Sequence, residues 1–211
     1  MAKPVLIFGA NTLGKVALEV FQSNSVLVYG FLDDDKKLIG SEIDEVSILG
    51  STDDDNFLKI LDKKCDAFLA FDDNKMKKSY VKLLAEEHKV VPINAIHKDV
   101  SIARSAILHH GSLFDARVVI GPMAQVGNHC LIHASVIINA EAQIADYVQI
   151  GAGSIVSSNV TIAENVFIGA GVTIVSGVNI GKNARIGAGS VVVQDVEPGQ
   201  TIFGNPGTVV K

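Results

Sequence analysis

The amino-acid sequence predicts two domains of different classes: a small α/β domain with a parallel sheet over residues 1–92, and an all-β solenoid over residues 93–211. Two patterns predict this division. Short apolar runs alternate with helical patterns in the first part, and from residue 100 onward an apolar residue recurs at every sixth position. The composition, 6% aromatic with no Trp but many Val, Ile, Ala and Gly residues, fits the repetitive β part.

In the first domain, short apolar runs indicate buried strands, and segments with helical periodicity separate them. The predicted elements are, in order, strand Val5–Phe8, helix Lys15–Phe21, strand Val26–Leu32, helix Phe57–Leu61, strand Cys65–Phe71, helix Met76–Glu87 and strand Val90–Val91. This alternation implies parallel strands that are joined by right-handed crossovers.

Ligands of such sheets bind at the carboxyl ends of the strands, where the turn Gly9–Gly14 and the acidic turn Asp33–Asp35 both lie. The first turn reads GANTLG and lacks the GxGxxG spacing of dinucleotide-binding folds. A tight strand-to-helix turn therefore explains its glycines as well as ligand contact does. Three consecutive aspartates are likewise compatible with a solvated turn or with a binding role.

In the second domain, the period of six predicts a hexapeptide solenoid, in which each hexad is one short strand and one turn. The sixteen apolar positions, without a register slip, are Ile102, Leu108, Phe114, Ile120, Val126, Ile132, Ile138, Ile144, Ile150, Val156, Ile162, Ile168, Ile174, Ile180, Ile186 and Val192. With three hexads in each triangular coil, residues 100–195 make a little over five coils. We expect glycine and asparagine at the corners to supply tight or left-handed backbone, namely Gly127, Asn128, Gly151, Gly169, Gly181, Asn183 and Gly187.

The composition excludes several classes of function. The net charge is −5 and the basic residues are scattered, which argues against nucleic acid or an anionic membrane surface as a partner. No apolar stretch approaches the roughly 20 residues that span a bilayer, and the apolar run near the N-terminus reads as a strand and not as a signal peptide. Cys65 and Cys130 lie far apart, as expected of reduced thiols in a cytoplasmic protein. Small molecules are the expected partners.

Four segments carry a resemblance to a known family: FLDDDK at 31–36, INAIHKDVSI at 93–102, IGKNARIGAGSVV at 180–192 and FGNP at 203–206. With them, the chain resembles the sialic acid O-acetyltransferase and UDP-bacillosamine N-acetyltransferase family of hexapeptide-repeat sugar acetyltransferases. The resemblance implies a Rossmann-like domain followed by a left-handed parallel β-helix, and a homotrimer as the working unit.

The resemblance also implies two ligands and no metal. A nucleotide-linked amino sugar, usually a UDP-sugar, is expected at the first domain, on Gly9, Asn11, Thr12, Asp33, Asp34 and Lys36. Acetyl-CoA is expected between adjacent β-helices, with Gln149 near the thioester. The remaining residues expected along the cofactor are Gly151, Gly169, Gly187, Asn205 and Pro206.

The chain departs from the family pattern where the chemistry takes place. Ala140 stands where the family has its catalytic histidine, while Glu141 keeps the acidic neighbour of that histidine. Gln149 replaces a second histidine, and His133 stands where the family has an asparagine. A general base contributes typically 10²–10⁴-fold to the rate, so its replacement has to be explained.

Three explanations are compatible with the sequence. His133 could be a relocated base, with Glu141 orienting it or holding the substrate amine. Alternatively, a neutral amine needs no protein base, which favours N-acetylation over the O-acetylation of a sialic acid. Lastly, the chain could be a sugar-nucleotide-binding homologue without catalytic activity.

A zinc site is a further alternative, because the related γ-type carbonic anhydrases bind zinc through histidines. The candidates here are His109, His110, His129 and His133. The last two are four residues apart in a lattice of period six, so they occupy different positions of the hexad. We therefore predict no metal, and a cytoplasmic homotrimeric N-acetyltransferase of bacterial surface-glycan biosynthesis that uses Glu141 and His133.

Overall fold

The computed structural model describes residues 3–61 and 63–210, and the chain divides into two compact units, Met1–Lys98 and Asp99–Lys211. The predicted boundary lies a few residues earlier, after residue 92. Met1 and Lys211, the outer ends of the two predicted domains, lie outside the described residues. Within the described ranges, no helix combines the length and the apolar character needed to cross a bilayer.

The first unit is a five-stranded sheet in the order β3-β4-β2-β1-β5, with helices between its strands. The elements of this unit are β1 (Val5–Phe8), α1 (Thr12–Ser23), β2 (Val28–Leu32), β3 (Glu42–Ile43), β4 (Val46–Gly50), α2 (Asp55–Leu58), β5 (Asp66–Leu69), α3 (Asn74–Leu83), a π-helical turn (Leu84–His88) and β6 (Ala95–Ile96), which is not part of the five-stranded sheet. All pairings in this sheet are parallel except that of β3 with β4. The strand β1 is fully buried at its centre, so its apolar run has the role that the sequence predicts.

The bounds of several elements differ from the sequence prediction by up to four residues; the predicted helix over 76–87, for example, is α3 followed by the π-helical turn. Two further features of this unit also differ from the prediction. The hairpin of β3 and β4 was missed, because its turn consists of Asp44 and Glu45, both in the left-handed region with φ of 47° and 64°. Such turns usually carry Asn-Gly or Asp-Gly, which gives them a recognisable sequence signal. Val90–Val91, predicted as a strand, is irregular: the Val90 N–H donates to the Leu84 carbonyl and closes the end of the preceding helical turn.

The second unit is the solenoid, and each of the sixteen predicted apolar residues is the last residue of a two-residue strand. These strands are β7 (Ser101–Ile102), β8 (Ile107–Leu108), β9 (Leu113–Phe114), β10 (Val119–Ile120), β11 (Gln125–Val126), β12 (Leu131–Ile132), β13 (Ile137–Ile138), β14 (Gln143–Ile144), β15 (Gln149–Ile150), β16 (Ile155–Val156), β17 (Thr161–Ile162), β18 (Phe167–Ile168), β19 (Thr173–Ile174), β20 (Asn179–Ile180), β21 (Arg185–Ile186) and β22 (Val191–Val192). A hairpin of β23 (Thr201–Phe203) and β24 (Thr208–Val209) follows.

The strands stack into three parallel faces, since each strand pairs with the strand one coil later; Ile137, for example, pairs with Ile155. We call the stack from β7 through β10, β13, β16 and β19 to β22 the first face, that from β8 to β20 the second face and that from β9 to β21 the third face. The first, second and third corners are the turns that follow these faces. Each coil therefore contains three hexads, as predicted.

From β9 onward, the core of the solenoid is filled from two positions of each hexad, whereas Ile102 at the start of the solenoid is 40% exposed. The apolar residue that ends the strand points inward, as does the residue two positions before it; Val136, Ile138, Ala142 and Val148 are fully buried. The corners have a conformational rule of their own: the third residue after the strand has φ between 58° and 79° in every turn from β8 to β21. These residues are Gly111, Arg117, Met123, His129, Ser135, Glu141, Tyr147, Gly153, Asn159, Asn165, Gly171, Gly177, Asn183 and Gly189.

The glycines that we predicted at the corners do not have the left-handed backbone that we expected, and they have a different role. Of the corner residues named from the sequence, only Asn183 is left-handed. Gly127, Gly151, Gly169, Gly181 and Gly187 directly follow a strand, where an added Cβ would lie less than 3 Å from atoms of the next coil or of the C-terminal hairpin. Close packing between coils, and not a positive φ, therefore requires glycine at these positions.

This distinction predicts that two glycine substitutions at the first corner differ in their effect on stability. Gly121→Ala places a Cβ about 2.7 Å from the Ala140 N of the next coil, so we expect a loss of about 1–3 kcal/mol in unfolding free energy. Gly177→Asn meets no atom within 4 Å, and asparagine occupies the equivalent left-handed position at residue 159, so its stability should change by less than about 1 kcal/mol. Urea unfolding followed by circular dichroism measures both, and equal losses would contradict the assignment.

Candidate functional site

The carboxyl ends of the strands of the first unit enclose a cavity of about 140 Å³. It is lined by Gly9, Asn11, Asp33, Asp34, Thr52, Phe71 and Met76. The structure thus brings together four of the six residues expected to bind the sugar nucleotide. Thr12, the first residue of α1, and Lys36 are both exposed and are not part of the lining.

The conformation of the turn between β1 and α1 depends on a glycine with positive φ and on the hydrogen bonds of one asparagine. Gly9 has a φ of 105°, and a Cβ there would lie 2.9 Å from the Ala70 carbonyl oxygen. Asn11 caps α1: its Oδ1 accepts a hydrogen bond from the Gly14 N–H at 3.0 Å, and its Nδ2 donates to the Ala70 carbonyl at 3.0 Å. The structural interpretation of these two residues therefore holds, although both also face the cavity.

Asp33 links this turn to the end of β2. Its Oδ2 accepts from the Ala10 N–H at 2.7 Å, and its Oδ1 accepts from the Asp35 N–H at 2.9 Å. The carboxylate thereby holds the two turns that form one side of the cavity. This contact explains why an acidic residue follows β2 even without a ligand.

Asp34 forms a network with two residues that the sequence did not reveal. It accepts from the Thr52 N–H at 3.0 Å, the Thr52 hydroxyl at 2.6 Å and the Tyr80 hydroxyl at 3.2 Å. Burial acts to raise the pKa of Asp34, but the hydrogen bonds from Thr52 and Tyr80 together outweigh it and hold the pKa below its usual value. Thr52 follows the unpredicted strand β4, so no pattern in the sequence pointed to it.

Phe71 and Met76 provide the apolar part of the lining. Phe71 is 5% exposed, and its ring packs against that of Tyr80 with 4.9 Å between centroids. Met76 lies in the first turn of α3. We predicted Phe71 as part of a strand and Met76 as part of a helix, without a role in the site.

In the solenoid, Glu141 and His133 lie at different corners of one chain. His133 is the first residue of the third corner after β12, whereas Glu141 is the left-handed residue of the first corner after β13. Glu141 is exposed and His133 is partly buried. One strand, β13, separates the two corners, so one chain does not place these side chains on the same edge.

The residues expected along the cofactor form a row at the third corner. Gly151, Gly169 and Gly187 directly follow β15, β18 and β21, and His133 holds the same position one coil earlier. A Cβ on Gly187 would overlap the ring of Phe203 in the C-terminal hairpin, so that ring covers one end of the row. Asn205 and Pro206 are exposed in the turn that follows Phe203. Gln149 lies on the third face beside Leu131 and Phe167.

A second cavity, of about 540 Å³, lies on the second face and was not predicted. Its lining includes Gln125, Gln143 and Thr161 from successive strands, and Asp146 and Glu164 from the corner beyond them. Outward positions of a hexad can hold any polar residue without changing the period, which is why the sequence pattern gave no signal for this cavity.

The four histidines of the zinc alternative are distributed over two corners. His109 lines the second cavity, and His110 Nδ1 lies 2.5 Å from Asn128 Oδ1. The ring of His129 stacks between those of His110 and Tyr147, whereas His133 lies at the third corner. Among the described residues, no group of three or more His, Cys, Asp or Glu side chains is arranged to hold a metal ion.

Comparisons with known proteins agree with both units. The model of the PglD N-terminal domain matches residues 4–84, and the model of the bacterial transferase hexapeptide, six repeats, matches residues 159–194. The chain therefore carries a PglD N-terminal domain followed by bacterial transferase hexapeptide repeats, and the resemblance inferred from the sequence is confirmed. A search of curated proteins gives no match.

Several solved structures share the architecture over the whole chain. PerB from Caulobacter crescentus, in complex with CoA and GDP-perosamine, is 24% identical, with a TM-score of 0.89 over 100% of this chain and 99% of that chain. The acetyltransferase domain of PglB from Neisseria gonorrhoeae, with acetyl coenzyme A, is 24% identical, with a TM-score of 0.91 over 100% of both chains. WeeI from Acinetobacter baumannii is 23% identical, with a TM-score of 0.86 over 99% of this chain and 100% of that chain. The predicted fold class, a Rossmann-like sheet followed by a left-handed parallel β-helix, is confirmed.

The network around Asp34 predicts a measurable pKa change. Thr52→Val removes one hydrogen-bond donor to Asp34 and keeps the size of the side chain, so we expect the pKa of Asp34 to rise toward its usual value of about 3.9. NMR titration of the carboxyl carbons measures this pKa. The pKa of Asp73, held low by the backbone N–H groups of Met76 and Lys75, is the internal control and should stay unchanged.

The same change has a consequence for stability against pH. Because the pKa of Asp34 is lowered in the folded state, its contribution to stability is present above the unfolded-state pKa and is lost as the pH falls through the folded-state pKa. Thr52→Val should therefore lose less stability than the wild type below about pH 4. An unaltered Asp34 titration in the variant would contradict the network.

Proposed function

We propose that this protein is an acetyl-CoA-dependent N-acetyltransferase that acts on the amino group of a nucleotide-linked amino sugar. The observation that carries the proposal is the pairing, in one chain, of a PglD N-terminal domain that has a cavity at its strand ends with a hexapeptide β-helix. PerB, which has this architecture, binds CoA and GDP-perosamine, and PglB binds acetyl coenzyme A. We place the activity in the cytoplasm, in the biosynthesis of bacterial surface glycans.

In this proposal, the first unit binds the nucleotide part of the substrate. The start of α1 faces the cavity, and the unpaired N–H groups of a first helical turn carry a partial positive charge that favours a diphosphate. Gly9 lets the ligand approach the backbone, with Asn11 and Thr12 at the start of the helix. Asp33 and Asp34 offer hydrogen-bond acceptors, and the exposed Lys36 offers a cation to the phosphates.

The second unit binds acetyl-CoA along the third corner. Each glycine of the row, Gly151, Gly169 and Gly187, is followed in the chain by an alanine, so no long side chain at these positions keeps a thin pantetheine arm away from the backbone. Phe203, with Asn205 and Pro206 after it, closes the end of this row, and Gln149 lies near the thioester at the other end. These residues fit a long, narrow co-substrate better than a compact one.

The two polar candidates, Glu141 and His133, meet in this proposal across a subunit boundary. A three-fold rotation brings the edge of one prism to a different edge of its neighbour, so the first corner of one subunit can face the third corner of the next. Exposed aliphatic residues on the first face, Val119 at 39% and Ile155 at 37%, are consistent with burial in a homotrimer.

The reaction follows from these placements. Glu141 accepts a hydrogen bond from the sugar amine and directs its nitrogen lone pair at the thioester carbonyl. The C–N bond forms, the C–S bond breaks, and the amine proton passes through His133 to the departing sulfur, which leaves as free CoA thiol. A hydroxyl is less nucleophilic than a neutral amine without a strong base, so the alanine at residue 140 favours N-acetylation over O-acetylation of a sialic acid.

A second candidate function is sugar-nucleotide binding without catalysis. One observation favours it: the turns of the first corner, where Glu141 lies, contain no histidine. A thiol-release assay with acetyl-CoA and a panel of UDP-, dTDP- and GDP-linked amino sugars separates the two. Release of CoA with at least one amino sugar is expected; tight binding of a sugar nucleotide without release would establish the binding function instead.

The roles of the two polar residues predict specific losses in that assay. His133→Ala removes the proton acceptor, so we expect kcat to fall about 100-fold, with a flattened acid limb in the pH profile. Glu141→Gln should lower kcat/KM about 10-fold, because the amide no longer accepts from the amine with a full negative charge.

Matched controls come from the first unit. His88→Ala and Glu45→Gln change the same residue types outside the site, and Glu45 shares the left-handed backbone of Glu141, so both should keep wild-type rates. Full activity in His133→Ala would exclude the relocated base and leave the amine to attack without one.

The trimer has its own test. Sedimentation equilibrium should give about three times the 22.3 kDa of one chain. Ile155→Glu places a charge on the exposed aliphatic part of the first face and should shift the mass toward that of one chain, whereas Asn179→Glu, on the second face, should leave the trimer intact. A monomeric wild type would overturn the subunit arrangement.

A further inference from the structure

The ionisable side chains of the third corner are confined to its first two turns. The turns after β9 and β12 contain Asp115, Arg117 and His133. The three turns that follow, after β15, β18 and β21, consist of Gly, Ala, Ser and Val alone. The charged end of this corner is therefore the end at which Gln149 is expected near the thioester.

Asp115 and His133 occupy the same position in successive coils. Phe114 and Ile132, the residues directly before them, are paired across the third face. The Asp115 N–H donates to the Ile132 carbonyl at 3.0 Å, which holds the two turns in register. Because neighbouring strands lie about 4.8 Å apart, the two side chains leave the backbone at about this distance from each other.

The carboxylate of Asp115 is held at the surface of its turn. Its Oδ1 accepts a hydrogen bond from the Ala116 N–H at 2.6 Å. An ionised carboxylate has about four accepting positions, so this bond leaves it able to accept from an imidazole N–H as well. Asp115 and His133 are both partly buried, which weakens the screening of their interaction by water. An opposite charge within about 4–6 Å favours the charged form of a titratable group, so Asp115 favours the imidazolium form of His133.

The other groups around His133 are neutral, with two exceptions. The next position of its row is Gly151, and Gln149 lies on the following strand of the third face. Arg117, exposed and left-handed in the preceding turn, is a cation that opposes the effect of the carboxylate. In the proposed trimer, Glu141 of the next subunit is a second carboxylate near this corner. The pair of stacked turns in one chain can therefore be tested separately from the assembly.

We infer that Asp115 is a positioning residue for His133 in the N-acetyl transfer proposed above, as the carboxylate of a carboxylate–imidazole pair between two coils of one chain; this role rests on that proposed function. One ring nitrogen of His133 takes the amine proton and passes it to the departing sulfur. The other nitrogen faces Asp115, which orients the ring and stabilises the imidazolium without taking the proton itself. The family resemblance gives no role to Asp115.

NMR titration of the histidines in the full chain tests the pair without any acetyl transfer. Asp115→Asn keeps an acceptor for the Ala116 N–H but removes the charge, so the pKa of His133 should fall by about 0.5 or more. His133→Ala identifies the signal. Asp195→Asn is the matched control: it removes the same charge from the turn after β22, where Asp195 accepts from the Asn179 N–H, and should leave the titration of His133 unchanged.

The thiol-release assay tests the role of the pair in the reaction. Asp115→Asn should lower kcat about tenfold, which is part of what a general base contributes, and should move the acid limb of the pH profile to lower pH. The KM for the sugar should change less than about twofold, because Asp115 acts through His133 and does not touch the substrate. Asp115→Glu keeps the charge and should recover most of the rate. In a His133→Ala background, Asp115→Asn should cause no further loss.

Each result decides the inference. An unchanged His133 titration in Asp115→Asn would overturn the pair, as would a further tenfold loss in the double variant. A wild type that releases no CoA with any amino sugar would overturn the proposed function and the catalytic role of the pair, while the titration would still decide whether Asp115 acts on His133. If Asp115→Asn does not fold, Asp115→Gly replaces it, because glycine holds this position in the last three turns of the corner. It should lower the pKa of His133 in the same way.

Discussion

The backbone ladder between successive coils is the constraint on which the solenoid depends. The Ile137 N–H donates to the Ser154 carbonyl and the Asn139 N–H to the Val156 carbonyl, both at 2.9 Å, and the pattern continues from coil to coil. To stay in register, each turn must direct the chain from one face to the next within four residues, and its third residue takes the left-handed conformation. Two inward positions in each hexad fill the core. The other positions of the hexad do not fill the core, so they can hold functional groups.

This lattice decides which residues can act together. Positions that differ by a full coil stack in one row, so His133 shares its row with Gly151, Gly169 and Gly187. Positions that differ by one hexad lie at different corners. Residues six or seven positions apart in the chain, such as His133 and Ala140, therefore lie at different corners of one prism. In the proposed function, they act together only across a subunit boundary, which links the catalytic proposal to the proposed assembly.

The sequence predicted the solenoid almost completely, because every hexad repeats the same inward requirement. Less of the first unit could be predicted, because the hairpin turn Asp44–Glu45 lacks the usual turn residues and Val90 is buried without being in a strand. The residues of the sites were the hardest to predict. Thr52 and Tyr80 reach Asp34 over 18 and 46 residues of chain, and no local pattern encodes such contacts. The corner glycines were found for the wrong reason, since packing against the next coil, and not φ, selects them.

The first unit shows how structural and binding roles can belong to the same atoms. Asn11 and Asp33 satisfy backbone groups of the turns that they join, and this fixes the shape of the cavity before a ligand arrives. Asp34 is held in the same way by Thr52 and Tyr80, so both carboxylates that follow β2 are in place before a ligand binds. A site whose groups are already held in position loses little conformational freedom on binding, which favours both affinity and selectivity.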